Sequence, residues 1–199
     1  MDPLPFSQAC ENNKAAILEA IAPRLVAVDE VLEIGSGTGQ HACFFAQSLP
    51  ELAWQPTELE ANRNVLQPRT QAYGGNNLLP AASLDVCQRP WPLAIPQAIF
   101  TANTLHIMPF EAVKSLFAYL GEASAAGALL MVYGPFNYQG CYTSESNASF
   151  DEWLRARDLR SAIRDFEKVD TLAQCAGYAL LDDKAMPANN RLLVWQRLA

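Results

Sequence analysis

Short apolar runs alternate with longer amphipathic stretches along the chain. The apolar runs predict strands at residues 30–34, 52–56, 82–84, 98–102, 128–133, 178–182 and 192–196. Helices are predicted between many of them and before the first strand, at residues 11–22, where Ala15, Ile17, Leu18 and Ile21 share one helical face. The other predicted helices cover residues 40–48, 59–72 (ending near Gly74), 110–121, 148–157 and 166–176. The polar residues 134–147 are predicted to form a loop.

This alternation predicts an α/β fold built on a doubly wound, mostly parallel sheet, because parallel strands require long crossover connections. The last two predicted strands are separated only by a turn at residues 187–190. They are therefore expected to form an antiparallel hairpin at the edge of a seven-stranded sheet that has helices on both faces. A length of 199 residues fits one domain over residues 1–199, with a helix at its N-terminus.

The composition narrows the cellular setting. No stretch reaches the roughly 20 apolar residues that a membrane-spanning helix requires, and residues 1–7 lack the basic and apolar regions of a secretory signal. The five cysteines show no CxxC spacing, and only two histidines accompany them. This usage predicts free thiols in the cytoplasm and no metal site.

The charge distribution bears on possible partners. A formal net charge of −7 argues against a general affinity for nucleic acid. Four arginines lie close together between residues 155 and 164, but acidic residues are interleaved with them. The pattern predicts a solvated or salt-bridged helical face.

Three glycines, Gly35, Gly37 and Gly39, lie between the first predicted strand and the following helix. Glycines at such a turn let backbone N–H groups and the helix N-terminus approach a ligand closely. The third glycine comes one residue earlier than in the GxGxxG fingerprint of dinucleotide-binding proteins. This loop, with Glu33 before it and Ser36 within it, is the predicted cofactor-binding element.

Acidic side chains follow the next two predicted strands. Glu58 lies 19 residues after Gly39, where a carboxylate can accept hydrogen bonds from both hydroxyls of a ribose. Asp85 ends the third predicted strand, at a position suited to the edge of an adenine, and Val86 is suited to line the ring. The alternative for each acid is a helix cap or a surface carboxylate. Their occurrence at successive strand ends beside the glycine loop favours a binding site.

The string EIGSGTG at residues 33–39 resembles motif I of class I methyltransferases. Further strings resemble the methyltransferase-like 26 family, namely WQP at 54–56, ANTLHI at 102–107, YGPF at 133–136, TSESN at 143–147 and MPANN at 186–190. The resemblance runs from about residue 13 to the C-terminus, and it implies a Rossmann-like class I methyltransferase fold with S-adenosylmethionine as the cofactor. It implies no substrate. The chain departs from the family pattern at Glu58, where the family usually has aspartate, and at Asn12, where it tends to have arginine.

Polar side chains also follow the fourth predicted strand, at the sheet edge where open α/β folds bind ligands. Asn103 is predicted to hold the methionine part of the cofactor, and His106 to face the substrate. The alternative for His106 is a structural histidine that caps the next helix. His41, in the helix after the glycine loop, is expected to be structural.

The strings YGPF, TSESN and MPANN fall where the fold can bring them together over the methyl end of the cofactor. A substrate pocket is therefore predicted from Tyr133, Phe136, Asn147, Arg164 and Asn190. The alternative is that the polar residues lock long loops through hydrogen bonds from side chain to backbone.

Methyl transfer from a sulfonium is an in-line displacement that needs alignment and, for some acceptors, a base. His106 is the predicted base, with Tyr133 as the alternative. The predicted function is an S-adenosylmethionine-dependent methyltransferase with a small-molecule acceptor, and the oligomeric state stays open. The alternatives are a non-catalytic S-adenosylmethionine-binding module that acts through a protein partner, a nicotinamide-dependent oxidoreductase, and a methyltransferase that modifies protein or RNA. The early Gly39 and the closing hairpin disfavour the oxidoreductase.

Overall fold

A computed structural model describes residues 4–73 and 75–199 of the chain, so the predicted helix end at Gly74 lies outside the described residues. The strands are β1 (Glu30–Glu33), β2 (Ala53–Glu58), β3 (Ala82–Ser83), β4 (Ala98–Ala102), β5 (Leu129–Gly134), β6 (Phe136–Asn137), β7 (Arg164–Asp165), β8 (Tyr178–Met186) and β9 (Asn190–Arg197). The helices are α1 (Gln8–Ile21), α2 (Gln40–Ser48), α3 (Arg63–Tyr73), α4 (Phe110–Ala123), α5 (Glu145–Arg157) and α6 (Phe166–Cys175). Within the described residues, no helix has the length and apolar character needed to cross a membrane.

Seven strands form the main sheet, in the order β3-β2-β1-β4-β5-β9-β8. β1 pairs in parallel with β2 and with β4, and β2 pairs in parallel with β3. β9 pairs antiparallel with both β5 and β8. The predicted fold class, a mostly parallel seven-stranded α/β sheet that closes in an antiparallel hairpin, is confirmed. β6 and β7 form a separate two-stranded parallel sheet that the sequence pattern did not predict.

The hairpin of β8 and β9 turns through Ala188 and Asn189, whose φ angles are 57° and 56°. Two consecutive residues in this left-handed region are typical of the tight turns that join antiparallel strands. β8 runs to Met186 rather than ending at Asp182 as predicted. The extension begins with two charged residues, Asp183 and Lys184, so a search for apolar runs stops before it.

The chain divides into two compact units, the first ending at Thr101. The core of the first unit centres on Phe45, Trp54 and Phe100, whose ring centroids lie 5.2 to 5.8 Å apart. α1 begins three residues before its predicted start, because Ser7 Oγ accepts a hydrogen bond from Cys10 N and caps the helix.

The second unit begins at Ala102. In its core Trp195 of β9 packs against the edge of Phe117 in α4, with ring centroids 6.2 Å apart. α5 begins at Glu145, three residues earlier than predicted, because Ser144 Oγ accepts a hydrogen bond from Asn147 N (3.1 Å). The prediction of one loop over residues 134–147 is therefore wrong at both ends, where β6 and the first turn of α5 lie.

Candidate functional site

The glycine loop between β1 and α2 has a left-handed backbone at three positions. Gly35, Gly37 and Gly39 have φ angles of 72°, 54° and 75°. A Cβ at Gly39 would lie 2.9 Å from Leu66 Cδ1, so α3 packs directly against this end of the loop. A Cβ at Gly37 would have no described atom within 4 Å. Gly37 therefore presents an open stretch of backbone.

Glu58, at the end of β2, lies against this open stretch. Its Oε2 accepts a hydrogen bond from Gly37 N (2.9 Å), and its Oε1 accepts one from Leu59 N (2.9 Å). The structure thus brings together the predicted loop and the first predicted acid, although they are 21 residues apart in sequence.

Ser36 ties the loop to β2. Its backbone N donates to Thr57 O (2.8 Å), and its Oγ accepts from Thr57 N (3.2 Å). Thr57 Oγ1 in turn donates to Glu33 O (2.7 Å). Ser36, predicted to bind cofactor, therefore has protein partners that fix the path of the loop.

Glu33 is a buried carboxyl group just before the loop. It is 1% exposed, and its Oε2 accepts a hydrogen bond from Trp54 Nε1 (2.8 Å). Burial raises the pKa of Glu33 to about 7, with a contribution from the negative charge of Glu58, while hydrogen bonds from Trp54 and Ser36 oppose the rise. Glu33 is therefore partly protonated near neutral pH and supports the loop from within the protein.

Asp85 and Val86 follow β3, which lies beside the strand that carries Glu58. Leu84 N donates to Glu58 O (2.9 Å), so Asp85 stands one residue beyond the bond that joins the two strand ends. Asp85 Oδ1 accepts from Cys87 N (2.9 Å), and Val86 is buried. The first unit thus collects Gly37 and Glu58 in direct contact, with Asp85 on the neighbouring strand end.

Two side chains that the sequence did not indicate hold the loop in place. Arg69 of α3 donates from Nε to Thr38 O (2.9 Å). Gln40, at the start of α2, accepts a hydrogen bond from Ser7 N at its Oε1 (2.6 Å). Neither contact follows from local spacing, because each joins segments about 30 residues apart.

His41 has the structural role predicted for it. Its Nε2 lies 2.7 Å from Asn13 Oδ1, and its ring stacks on Phe45 with centroids 5.3 Å apart. Burial lowers the pKa of His41 to about 4, so the ring is neutral at pH 7.

In the second unit, three predicted residues meet at the end of β5. Asn103 N donates to Tyr133 O (2.8 Å). A Cβ on Gly134 would lie 3.6 Å from His106 Nδ1 and 3.9 Å from Asn103 Oδ1. Asn103 has a φ of 56°, a strained conformation that is more common for asparagine than for most residues and is frequent at functional sites.

His106 is buried and packs edge to face against Phe150, with ring centroids 5.3 Å apart. Burial lowers its pKa to about 4, and the positive charge of Arg164 lowers it further, while Asp151 opposes the shift. The imidazole is therefore neutral at pH 7, the form that can accept a proton.

Asn147 and Asn190, both predicted to line a substrate pocket, bond to the protein itself. Asn147 Nδ2 donates to Thr143 Oγ1 (2.9 Å) and to Asn189 O (3.1 Å), so the TSESN and MPANN strings are joined. Asn190 Nδ2 donates to Pro187 O (3.1 Å) within the hairpin turn. These contacts are of the loop-locking kind that was the alternative to a pocket.

Arg164, the charged candidate of the pocket, also bonds to backbone. It donates from Nε to Leu105 O (2.9 Å) and from Nη2 to Arg160 O (3.0 Å) and Met108 O, and so holds the segment that carries His106. It is buried, which corrects the prediction that it belongs to a solvated face. Phe136, the apolar member of the predicted pocket, is buried too.

Asp151 also departs from the predicted solvated face, because it is fully buried. Its carboxylate accepts hydrogen bonds from Tyr142 Oη (2.8 Å), Arg155 Nε (2.8 Å) and Ile163 N. It thereby joins α5 to the residues before and after it. The pairs Arg155–Asp151 and Arg160–Asp158, each 2.8 Å apart, confirm the predicted salt bridges.

Two further features delimit the site. Within residues 4–73 and 75–199, no group of three or more His, Cys, Asp and Glu side chains is arranged to hold a metal ion. In the second unit a cavity of about 440 Å³ lies between α4 and α6, and its lining includes none of the predicted site residues.

Comparison with known proteins gives one family and one fold. The family described as "Protein of unknown function (DUF938)" matches residues 4–197. The chain is similar in structure to human N-acetylserotonin methyltransferase in complex with SAM, at 13% identity and a TM-score of 0.81, over 96% of this chain and 53% of that one. It is also similar to the S-adenosylmethionine-dependent methyltransferase SibL in its apo form, at 18% identity and a TM-score of 0.78, over 96% of this chain and 56% of that one. A third similar structure is PigF with SAH, at 17% identity and a TM-score of 0.73, over 97% of this chain and 67% of that one. The chain spans a little over half the length of the first two proteins, and at these identities the similarity concerns the fold.

Proposed function

The chain belongs to the DUF938 family, and we propose that it is an S-adenosylmethionine-dependent methyltransferase that acts on a small molecule. The observation that carries this proposal is the 2.9 Å contact between Glu58 Oε2 and Gly37 N. It sets a carboxylate, the group that binds ribose hydroxyls in nucleotide sites, beside an open glycine backbone. The fold shared with methyltransferases of known structure supports the same function.

The donor and acceptor groups of the first unit fit the proposed cofactor. Glu58 would hold the ribose hydroxyls, Asp85 would accept a hydrogen bond from the adenine amino group, and Val86 would pack on the ring. Gly37 offers its backbone without a side chain in the way. When bound, S-adenosylmethionine supplies an electrophilic methyl group.

The remaining residues of the glycine loop would hold its backbone in the conformation that binds the cofactor. Gly35 and Gly39 allow the left-handed turns at the two ends of the loop. Ser36 and Glu33 hold the loop to β2 through Thr57. We assign them to the cofactor site as the groups that fix the path of the loop backbone.

In the second unit, Asn103 is our candidate for the methionine part of the cofactor and His106 our candidate for the base. Its imidazole is neutral at pH 7 and so can accept a proton, and its pKa of about 4 makes it a weaker base than an exposed histidine. Tyr133 stays the alternative base. We propose that Phe136 contributes to the acceptor pocket and that Asn147, Arg164 and Asn190 shape it by holding its loops.

Several finer assignments go with this proposal. We infer from its YGPF, TSESN and MPANN strings that the chain is a member of the methyltransferase-like 26 family. We also propose that residues 1–199 act as one domain, since a chain of 199 residues fits the size of one. The five free cysteines support a cytoplasmic location, and the net charge of −7 supports a small-molecule acceptor over nucleic acid.

Calorimetric binding of S-adenosylmethionine, S-adenosylhomocysteine and NAD tests the proposal directly. We expect the first two to bind, and Glu58→Ala to weaken both by at least ~10-fold, which corresponds to about 1.4 kcal/mol. Glu60→Ala is the matched control, because Glu60 is an exposed neighbour that pairs with Arg63. Binding of NAD in place of the other two would contradict the proposal.

Catalysis is tested with methyl-labelled S-adenosylmethionine and a small-molecule extract below about 1 kDa. We expect label to appear in one or a few fractions with the wild-type protein and to be lost with Glu58→Ala. Tight binding of the cofactor without transfer to any fraction would instead favour the non-catalytic binding module.

A further inference from the structure

Asn137 is a buried carboxamide whose oxygen has no hydrogen-bond partner. The residue is 7% exposed, and no donor among the described residues reaches its Oδ1. Buried polar groups in native proteins are nearly always bonded, because losing water without a replacement costs free energy. Asn137 Oδ1 therefore calls for a partner that the described residues do not supply.

The two other buried asparagines of the described residues each have a hydrogen-bond partner at one end of the carboxamide. Asn13 Oδ1 lies 2.7 Å from His41 Nε2. Asn147 Nδ2 donates to both Thr143 Oγ1 and Asn189 O. The unpartnered state of Asn137 is thus a property of its position.

That position belongs to the same part of the second unit as His106. Asn137 lies three residues after Gly134, which adjoins His106 Nδ1, and pairs in β6 opposite Asp165 of β7. The segment around β7 is bonded to the His106 segment, through Ala162 N to His106 O (3.0 Å) and Arg164 Nε to Leu105 O (2.9 Å). The segment of β7 that lies opposite Asn137 is therefore bonded to the loop of the candidate base.

We propose that Asn137 binds the methyl acceptor, its Oδ1 accepting a hydrogen bond from an N–H or O–H group of that molecule. The inference rests on the proposed function and adds the chemical class of the acceptor, a small molecule that carries a hydrogen-bond donor. A site with a buried hydrogen-bond acceptor rejects substrate analogues that lack the matching N–H or O–H group, because binding them leaves the carboxamide unpaired. Asn137 is then a specificity-determining residue.

The first test concerns the free protein and needs no substrate. Replacing an unpartnered carboxamide by an apolar side chain of similar shape removes a desolvation cost and no bond. We expect Asn137→Leu to leave the Tm unchanged or to raise it by up to ~4 °C. Asn147→Leu is the matched control, and we expect it to lower the Tm by at least ~4 °C because it breaks two hydrogen bonds. A comparable fall for Asn137→Leu would overturn the proposal, since the carboxamide would then be satisfied within the protein or by a structural water.

The second test separates the acceptor from the cofactor. We expect Asn137→Leu to bind S-adenosylhomocysteine within about 2-fold of the wild type and to lose at least ~10-fold of label transfer into the accepted small-molecule fraction. Undiminished transfer would overturn the acceptor role, and so would a 10-fold weaker affinity for S-adenosylhomocysteine. A wild-type protein that binds no S-adenosylhomocysteine or transfers no label contradicts the proposed function itself, and the acceptor role of Asn137 with it.

Discussion

At the scale of single residues, the buried carboxyl of Glu33 is the most unusual electrostatic feature of the first unit. Two neutral donors, Trp54 and Ser36, bond to this buried carboxyl, and they do not make up for the water that its ionised form loses. The pKa of about 7 in the folded protein lies above the ordinary value of 4.5. Its contribution to stability is therefore fully present below pH 4.5 and is lost as the pH rises through 7.

Glu33→Gln should remove this pH dependence. Between pH 5.5 and 8.5 we expect the free energy of unfolding of the wild type to fall by about 2 kcal/mol relative to the variant, at 1.36 kcal/mol for each pKa unit. Urea unfolding of both proteins at several pH values measures the difference in their free energies of unfolding. The contribution of the histidines is the same in both proteins and cancels. Glu30→Gln, at the start of the same strand, should run parallel to the wild type. Parallel curves for Glu33→Gln as well would show that its pKa is not raised.

His106 gives a prediction about rate. Because its pKa is about 4, a rate that depends on its neutral form should stay level from pH 8 down to about 5 and fall as the pH approaches 4. We expect His106→Gln to lower kcat by about 10²- to 10⁴-fold and to abolish that acid limb. His41→Gln is the control, since His41 is equally buried but belongs to the core. A rate that instead falls through pH 6.5 would contradict the burial-shifted pKa.

At the scale of elements, the alternation of apolar and amphipathic segments was enough to predict the seven strands of the main sheet and six helices. The errors lie where a single contact decides the boundary, as with the Ser7 and Ser144 caps that start α1 and α5 early. β6 and β7 are two residues long, too short to carry a periodicity.

The candidate site divides in the same way. The glycine loop is a contiguous motif, and the acids after β2 and β3 stand at the ends of predicted strands, so the sequence indicates both. The contacts of Arg69 and Asp151, and the burial of Asn137, depend on segments brought together only by folding. Residue type and spacing do not distinguish the buried Asp151 from its exposed neighbours.

The loop between β1 and α2 allows two of its glycines to be separated in their roles. An alanine at either Gly37 or Gly39 adopts a left-handed conformation, which costs about 1–2 kcal/mol. At Gly39 the new methyl also meets Leu66 at 2.9 Å, so we expect Gly39→Ala to be the more destabilising variant in urea unfolding. At Gly37 the methyl points into open space.

Binding then distinguishes the two variants further. We expect Gly37→Ala to bind S-adenosylhomocysteine at least ~10-fold more weakly than the wild type. Calorimetry under conditions where both proteins are folded measures this difference apart from any loss of stability. Equal affinities for Gly37→Ala and the wild type would mean that the ligand does not approach this backbone.

At the scale of the whole molecule, a ligand that binds only the folded chain must raise its stability by mass action. If S-adenosylhomocysteine occupies the glycine loop and Glu58, a concentration of about 100 times its Kd adds roughly 2.7 kcal/mol to the free energy of unfolding. For a chain of 199 residues we therefore expect a rise in Tm of about 5–10 °C. Glu58→Ala, with at least ~10-fold weaker binding, should lose about half of this rise or more at the same ligand concentration, while Glu60→Ala should keep it. NAD tests the oxidoreductase alternative in the same experiment. If this loop bound a dinucleotide, NAD would raise the Tm more than S-adenosylhomocysteine does.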